Sequence, residues 1–189
     1  MQLIPVFKIG IWNAWIFAAC FFLLPYPIMV IFKKAFKKLG NPADMKPNKR
    51  EKVLGYVANI ITYIAILYSI FLPFKLGTVW FYIGLAIFLL AVVVLVAAVI
   101  NFFTTPIDGA VTKGIYGYSR HPLYLSNLLA LIGIAIAAAS WIILLAAIIF
   151  LISANIVAIS EERYCKEKYG DIYKEYLNRT PRWIGIPKS

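Results

Sequence analysis

The chain has 189 residues, 62% hydrophobic and 14% charged, with a formal net charge of +11. Soluble domains carry about 25% charged residues, so the composition excludes a soluble globular protein and defines an integral membrane protein. The basic excess suits anionic lipid headgroups, and no zinc-finger or RNA-binding signature is present, so no nucleic-acid partner is expected.

Cys20 lies in an apolar run and Cys165 in a charged one, so neither a disulfide nor a metal pair is expected of them. A lone histidine, His121, without an acidic cluster beside it in sequence, gives no metal centre either.

The first apolar run, Ile11 to Phe32, is long enough for a span of about 20 residues. It exceeds a signal-peptide core and has no small-residue cleavage site, so it reads as a retained span. Pro25 and Pro27 should kink it, because each removes a helical hydrogen bond. Residues 33–52 form a basic loop, read as a positive-inside anchor. Gly55 to Phe74 and Val79 to Phe103 are the second and third spans, joined by a tight turn. Leu123 to Ala139 and Trp141 to Ile159 are the fourth and fifth, separated by Ser140 and so paired as a helical hairpin.

The basic segments share one face only with five spans, an outside N-terminus and an inside C-terminus. The tail should break at Gly170, begin a short amphipathic helix capped by Asp171, and stop at Pro181. Trp183, Ile184 and Ile186, flanked by Arg182 and Lys188, suit the membrane interface. The reading is therefore an all-α membrane protein of about five transmembrane helices, with a cytosolic C-terminal amphipathic helix. Without internal repeats or a linker, residues 1–189 form one membrane domain.

Two polar concentrations interrupt this apolar chain: the stretch from Lys113 to Tyr124, and Glu161-Glu162. Ionisable groups at a membrane boundary are costly unless paired or solvated, so the two are expected to meet. Glycines allow close backbone approach to a ligand, Tyr116 and Tyr124 can stack on a planar ring, and Glu161 can accept from a ribose or an amine. Such a set suits a nucleoside-bearing cofactor. Read without reference to any family, the same residue types are more often headgroup anchors.

Val111-Thr112-Lys113-Gly114-Ile115-Tyr116, followed by Arg120-His121-Pro122-Leu123-Tyr124, resembles the isoprenylcysteine carboxyl methyltransferase family. Glu161-Glu162, Tyr169-Gly170, Tyr173, Tyr176 and Pro181 resemble that family's second motif. The resemblance covers about residues 101–187, and the same region is similar in membrane phospholipid-amine methyltransferases. It implies S-adenosylmethionine as cofactor and a lipidic substrate, the carboxylate of a prenylated cysteine. The cofactor positions it implies are Asn101, Asp108, Gly109, Ala110, Val111, Tyr116, His121, Pro122, Leu123, Tyr124 and Glu161. Arg120 and Arg163 are candidates for orienting the substrate. The chain departs from the family's pattern at Ser126, Cys165 and Val157. Val157 stands where eukaryotic members carry a substrate-contacting arginine, which suggests an altered acceptor. Three alternatives stand beside this reading: a membrane sterol or lipid reductase using reduced nicotinamide dinucleotide phosphate, a phospholipid-amine methyltransferase, and a non-catalytic lipid-binding protein.

Overall fold

The computed structural model describes residues 8–32, 47–106 and 109–187. Most of the basic loop, residues 33–46, lies outside the described residues, as do Asp108 and Lys188. The fold is all-helical: α1 (Trp15–Leu23), α2 (Pro25–Ile31), α3 (Lys49–Ser69), α4 (Val79–Thr104), α5 (Pro122–Ala137) and α6 (Trp141–Arg179). Among the described residues, α3, α4 and α6 are long and apolar enough to cross a membrane. The first and fourth apolar runs form shorter helices, and α5 has 16 residues.

The first run divides where Pro25 takes the opening position of α2, since a missing N–H is tolerated only in a first helical turn. Before α1, Asn13 donates to the Ile70 carbonyl at 2.7 Å, and the Ala14 amide bonds the Leu72 carbonyl at 2.8 Å. The segment leading into α1 is thereby fixed to the turn between α3 and α4. The stacked rings of Phe17 and Phe88, with centroids 4.2 Å apart, continue that packing into the core.

The second span, α3, starts earlier than its apolar residues suggest. The Asn48 side chain accepts from the Glu51 amide at 2.9 Å, and the Glu51 carboxylate accepts from the Asn48 amide at 2.8 Å. This reciprocal cap places Lys49, Arg50 and Lys52 in the first helical turn rather than in a loop.

Gly84 and Gly133 let α4 and α5 approach to backbone contact. A Cβ on Gly84 would lie 2.3 Å from the Ala137 nitrogen, and one on Gly133 would lie 2.9 Å from the Phe88 nitrogen. The hairpin turn is as short as Ser140 implies: Ala139 adopts φ 51° and Ser140 Oγ caps α6 through the Ile143 amide at 3.4 Å. At about 1.5 Å per residue, residues 141–169 of α6, ahead of the break at Gly170, extend about 44 Å, well beyond a hydrocarbon core of about 30 Å. Its apolar part ends at Ile159; the rest projects beyond and carries the charges. Gly170, at φ 58°, interrupts the helix as expected. Asp171 engages Lys174 at 2.7 Å, and the helix stops ahead of Pro181.

Candidate functional site

The site is assembled where α4 ends, α5 begins and α6 leaves its apolar part. Asn101, in the last turn of α4, accepts from the Ile115 amide through Oδ1 at 2.9 Å. That bond holds a single 3₁₀ turn, Gly114–Gly117. Gly114 has φ +64°, and a Cβ there would lie 2.1 Å from Asn101 Oδ1, so only glycine fits over the asparagine. The turn buries Tyr116, whose carbonyl accepts from the Tyr176 hydroxyl at 2.7 Å. Burial drives the Tyr116 phenol far above its ordinary range, so it stays protonated.

Next along the chain, Ser119 Oγ accepts from the His121 amide at 3.2 Å. It places the buried imidazole immediately before Pro122, the first residue of α5. The ring lies between the two carboxylates of α6: Nδ1 is 3.3 Å from Glu161 and Nε2 is 3.2 Å from Glu162. Nε2 is hydrogen-bonded to Glu162 and Nδ1 lies at ion-pair distance from Glu161, a setting between two carboxylates that favours the imidazolium. Burial opposes the charge, but the hydrogen bonds to Glu161 and Glu162 overcome it and hold the His121 pKa above its ordinary value.

Glu162 is 6% exposed. Burial raises its pKa, and the bonds from His121 and Arg182, with the nearby Arg120 cation, reverse that and take it down to about 2. Arg182 donates to both its oxygens at 2.9 Å each, and Arg120 lies at 3.5 Å. On the other side of the ring, Glu161 accepts from the Tyr124 hydroxyl at 2.5 Å. The cluster thus sets three cations, Arg120, His121 and Arg182, against two carboxylates.

Beside the cluster opens a cavity of about 320 Å³. Of the residues implied by resemblance, Val111, Tyr116, His121, Pro122, Leu123, Tyr124 and Glu161 line it, as does Arg120. Asn101 does not; it supports the turn from beneath. Gly109 and Ala110 lie off the wall, the Gly109 amide closing a turn onto the Pro106 carbonyl at 3.0 Å. Asp108 lies outside the described residues. Arg163, proposed for substrate orientation, instead grips Glu51 of α3 at 2.8 Å.

The remaining wall is Phe102 with Tyr164, Cys165, Lys168, Tyr169, Tyr173 and Tyr176. Motif reasoning gave these α6 residues no cofactor role, yet Glu161, Cys165 and Tyr169 recur at four-residue spacing and share a helix face, and Tyr173 joins the wall from beyond the break at Gly170. Burial pushes the Cys165 thiol up to about 11, so it remains a neutral thiol at pH 7.

Residues 98–172 match the model of the phospholipid methyltransferase family. The matched stretch runs from the last turns of α4 past the Gly170 break, and holds the 3₁₀ turn, α5 and the carboxylate pair. With its membrane-length helices, the class this indicates is a membrane methyltransferase. No curated protein matches the chain.

Proposed function

We propose that this protein is an integral membrane methyltransferase that uses S-adenosylmethionine to methylate a lipidic acceptor. The observation that carries the reading is the cavity itself. Its volume of about 320 Å³ falls within the roughly 300–1,000 Å³ of small-molecule sites, and apart from Tyr173 and Tyr176 its lining falls within the region matched to methyltransferases.

The donor set fits the cofactor. Arg120 lines the cavity as a cation suited to a carboxylate. Glu161, with 27% of its side chain exposed, can accept from ribose hydroxyls or an amine. Tyr116, Tyr124, Tyr169 and Tyr173 offer ring faces for a purine and for a sulfonium cation. When bound, the cofactor supplies an electrophilic methyl group. The protein contributes orientation, since methyl transfer depends on in-line placement of donor and acceptor. Tyr124 is engaged with Glu161, and Cys165 is a neutral thiol. Neither is available as a base; an acceptor carboxylate needs none, and an amine must arrive neutral or yield a proton to Glu161.

The motifs support the carboxylate of a prenylated cysteine as acceptor. The family match supports a second acceptor, the amine of a phospholipid headgroup. In this reading residues 1–189 are one membrane domain of five spans, with the N-terminus outside and the cavity on the cytosolic side, supported by the lysine distribution.

Calorimetry on detergent-solubilised protein tests the cofactor. S-adenosylhomocysteine should bind and reduced nicotinamide dinucleotide phosphate should not; the opposite pattern sinks the methyltransferase reading. Labelled methyl transfer to N-acetyl-farnesyl-cysteine or to phosphatidylethanolamine vesicles then separates the two acceptors.

A further inference from the structure

The segment after α6 turns back onto the site. Arg120 N–H donates to the Pro181 carbonyl at 3.1 Å, Gly185 N–H to Tyr118 at 3.1 Å, and Ser119 Oγ–H to the Arg182 carbonyl at 3.3 Å. These bonds turn Arg182 inward. Its Nε and Nη2 take the two oxygens of Glu162, and its Nη1 reaches Asn155 Oδ1 on the apolar part of α6 at 3.2 Å. The indole of Trp183 lies 6.4 Å from the His121 ring. Ile184 and Ile186 face away, 74% and 88% exposed.

Arg182 makes the shortest contacts Glu162 has: 2.9 Å twice, against 3.2 Å to His121 and 3.5 Å to Arg120. Glu162 Oε2 is held by Arg182 through a planar fork that a lysine cannot reproduce. Take the guanidinium away and the buried carboxylate keeps only its two longer contacts, both on Oε1. The Nδ1 side of the ring stays fixed by Glu161, while the Nε2 side loses the anchor of its partner.

We propose that Arg182, which lies beyond the matched region, is a positioning residue for the cofactor cavity. By holding Glu162 it fixes the Nε2 side of His121, and so sets the ring plane that forms a cavity wall with Tyr124. Only the affinity arm of the test rests on the proposed cofactor.

The chain has one histidine, so histidine-labelled full-length protein in detergent gives unambiguous imidazole N–H resonances. The parent should show two slowly exchanging signals, from Nδ1–H and Nε2–H. In Arg182→Gln the Nε2–H signal should vanish and the Nδ1–H signal persist. S-adenosylhomocysteine affinity should fall about tenfold, the scale of a lost charge-assisted bond. Arg182→Lys keeps the charge without the fork and should restore neither. Ile186→Ser, at the exposed tip of the segment, should leave both readouts unchanged. Retention of both resonances in Arg182→Gln, or full rescue by Arg182→Lys, overturns the proposal. If Arg182→Gln does not fold, Arg182→Lys decides alone: loss of its Nε2–H signal supports the role, and retention overturns it. If the parent binds no S-adenosylhomocysteine, the proposed function fails, and the resonances still decide the role of Arg182.

Discussion

Replacing Glu162 with glutamine removes the one carboxylate shared by Arg120, His121 and Arg182. Its carboxyl titrates at about 2 against an ordinary value of 4.5. That gap of about 2.5 pH units, at about 1.4 kcal/mol each, sets an upper limit of about 3.5 kcal/mol on what its ionisation contributes at neutral pH. Because the folded value lies below the unfolded one, the contribution is present above pH 4.5 and is lost as pH falls toward 2. Glu162→Gln should therefore lower stability by about 2–3 kcal/mol at pH 7, in line with breaking a buried pair. The deficit should shrink on acidification. Unfolding in detergent, followed for parent and variant between pH 7 and pH 3, measures both. A variant as stable as the parent at pH 7, or a deficit that stays constant across the range, would refute the assignment of Glu162 as the ionised centre of the cluster.

His121 should behave in the opposite sense. Its folded pKa is raised above 6.5, so its contribution is complete below that value and lost as pH rises through the folded one. His121→Gln should abolish this alkaline step in the melting profile. Gly114→Ala places a methyl 2.1 Å from Asn101 Oδ1 at φ +64°. It should cost about 1–3 kcal/mol and weaken S-adenosylhomocysteine binding, read by melting and calorimetry. Val157→Arg should lower the melting temperature without raising turnover of N-acetyl-farnesyl-cysteine. Val157 Cγ2 lies only 3.7 Å from the Cβ position of Gly55 in α3, and a cation within a span costs roughly 2.5–3.5 kcal/mol.

Hydropathy makes the apolar runs legible, because a span must be long and nearly uncharged, and local rules add the break at Pro25, the turn at Ser140 and the interruption at Gly170. The start of α3 is equally local: Asn48 followed three residues later by Glu51 is a capping signature that an apolar count passes over. Motif spacing brings out one wall of the cavity, from Val111 to Tyr124 with Glu161. The other wall follows from the helical period continuing past Glu161, which no motif needs. Arg182 and Trp183 read as interface anchors because basic and aromatic residues favour that layer. Their inward turn depends on Glu162 being buried and requiring a cation, which is tertiary information.

Under the proposed function, the placement of cations bears on the acceptor more than the absence of an arginine at Val157 does. Arg163 is spent on Glu51, and Arg182 on Glu162. Among the described residues, the cations that line the cavity are Arg120, His121, which lies between its two carboxylates, and Lys168, whose ammonium lies 5.3 Å from the centre of the Tyr169 ring. A cofactor carboxylate taken by Arg120 leaves Lys168, farther along α6, as a cation for a second anionic group. The apolar lining comes from Phe102 at the end of α4 and Leu123 at the start of α5. A chain entering between those helices would bring its head to the level at which α6 leaves its apolar part, where Glu161 and Lys168 stand. Recognition of an anionic head in this protein then belongs to the projecting part of α6, and an arginine within the fifth span is unnecessary.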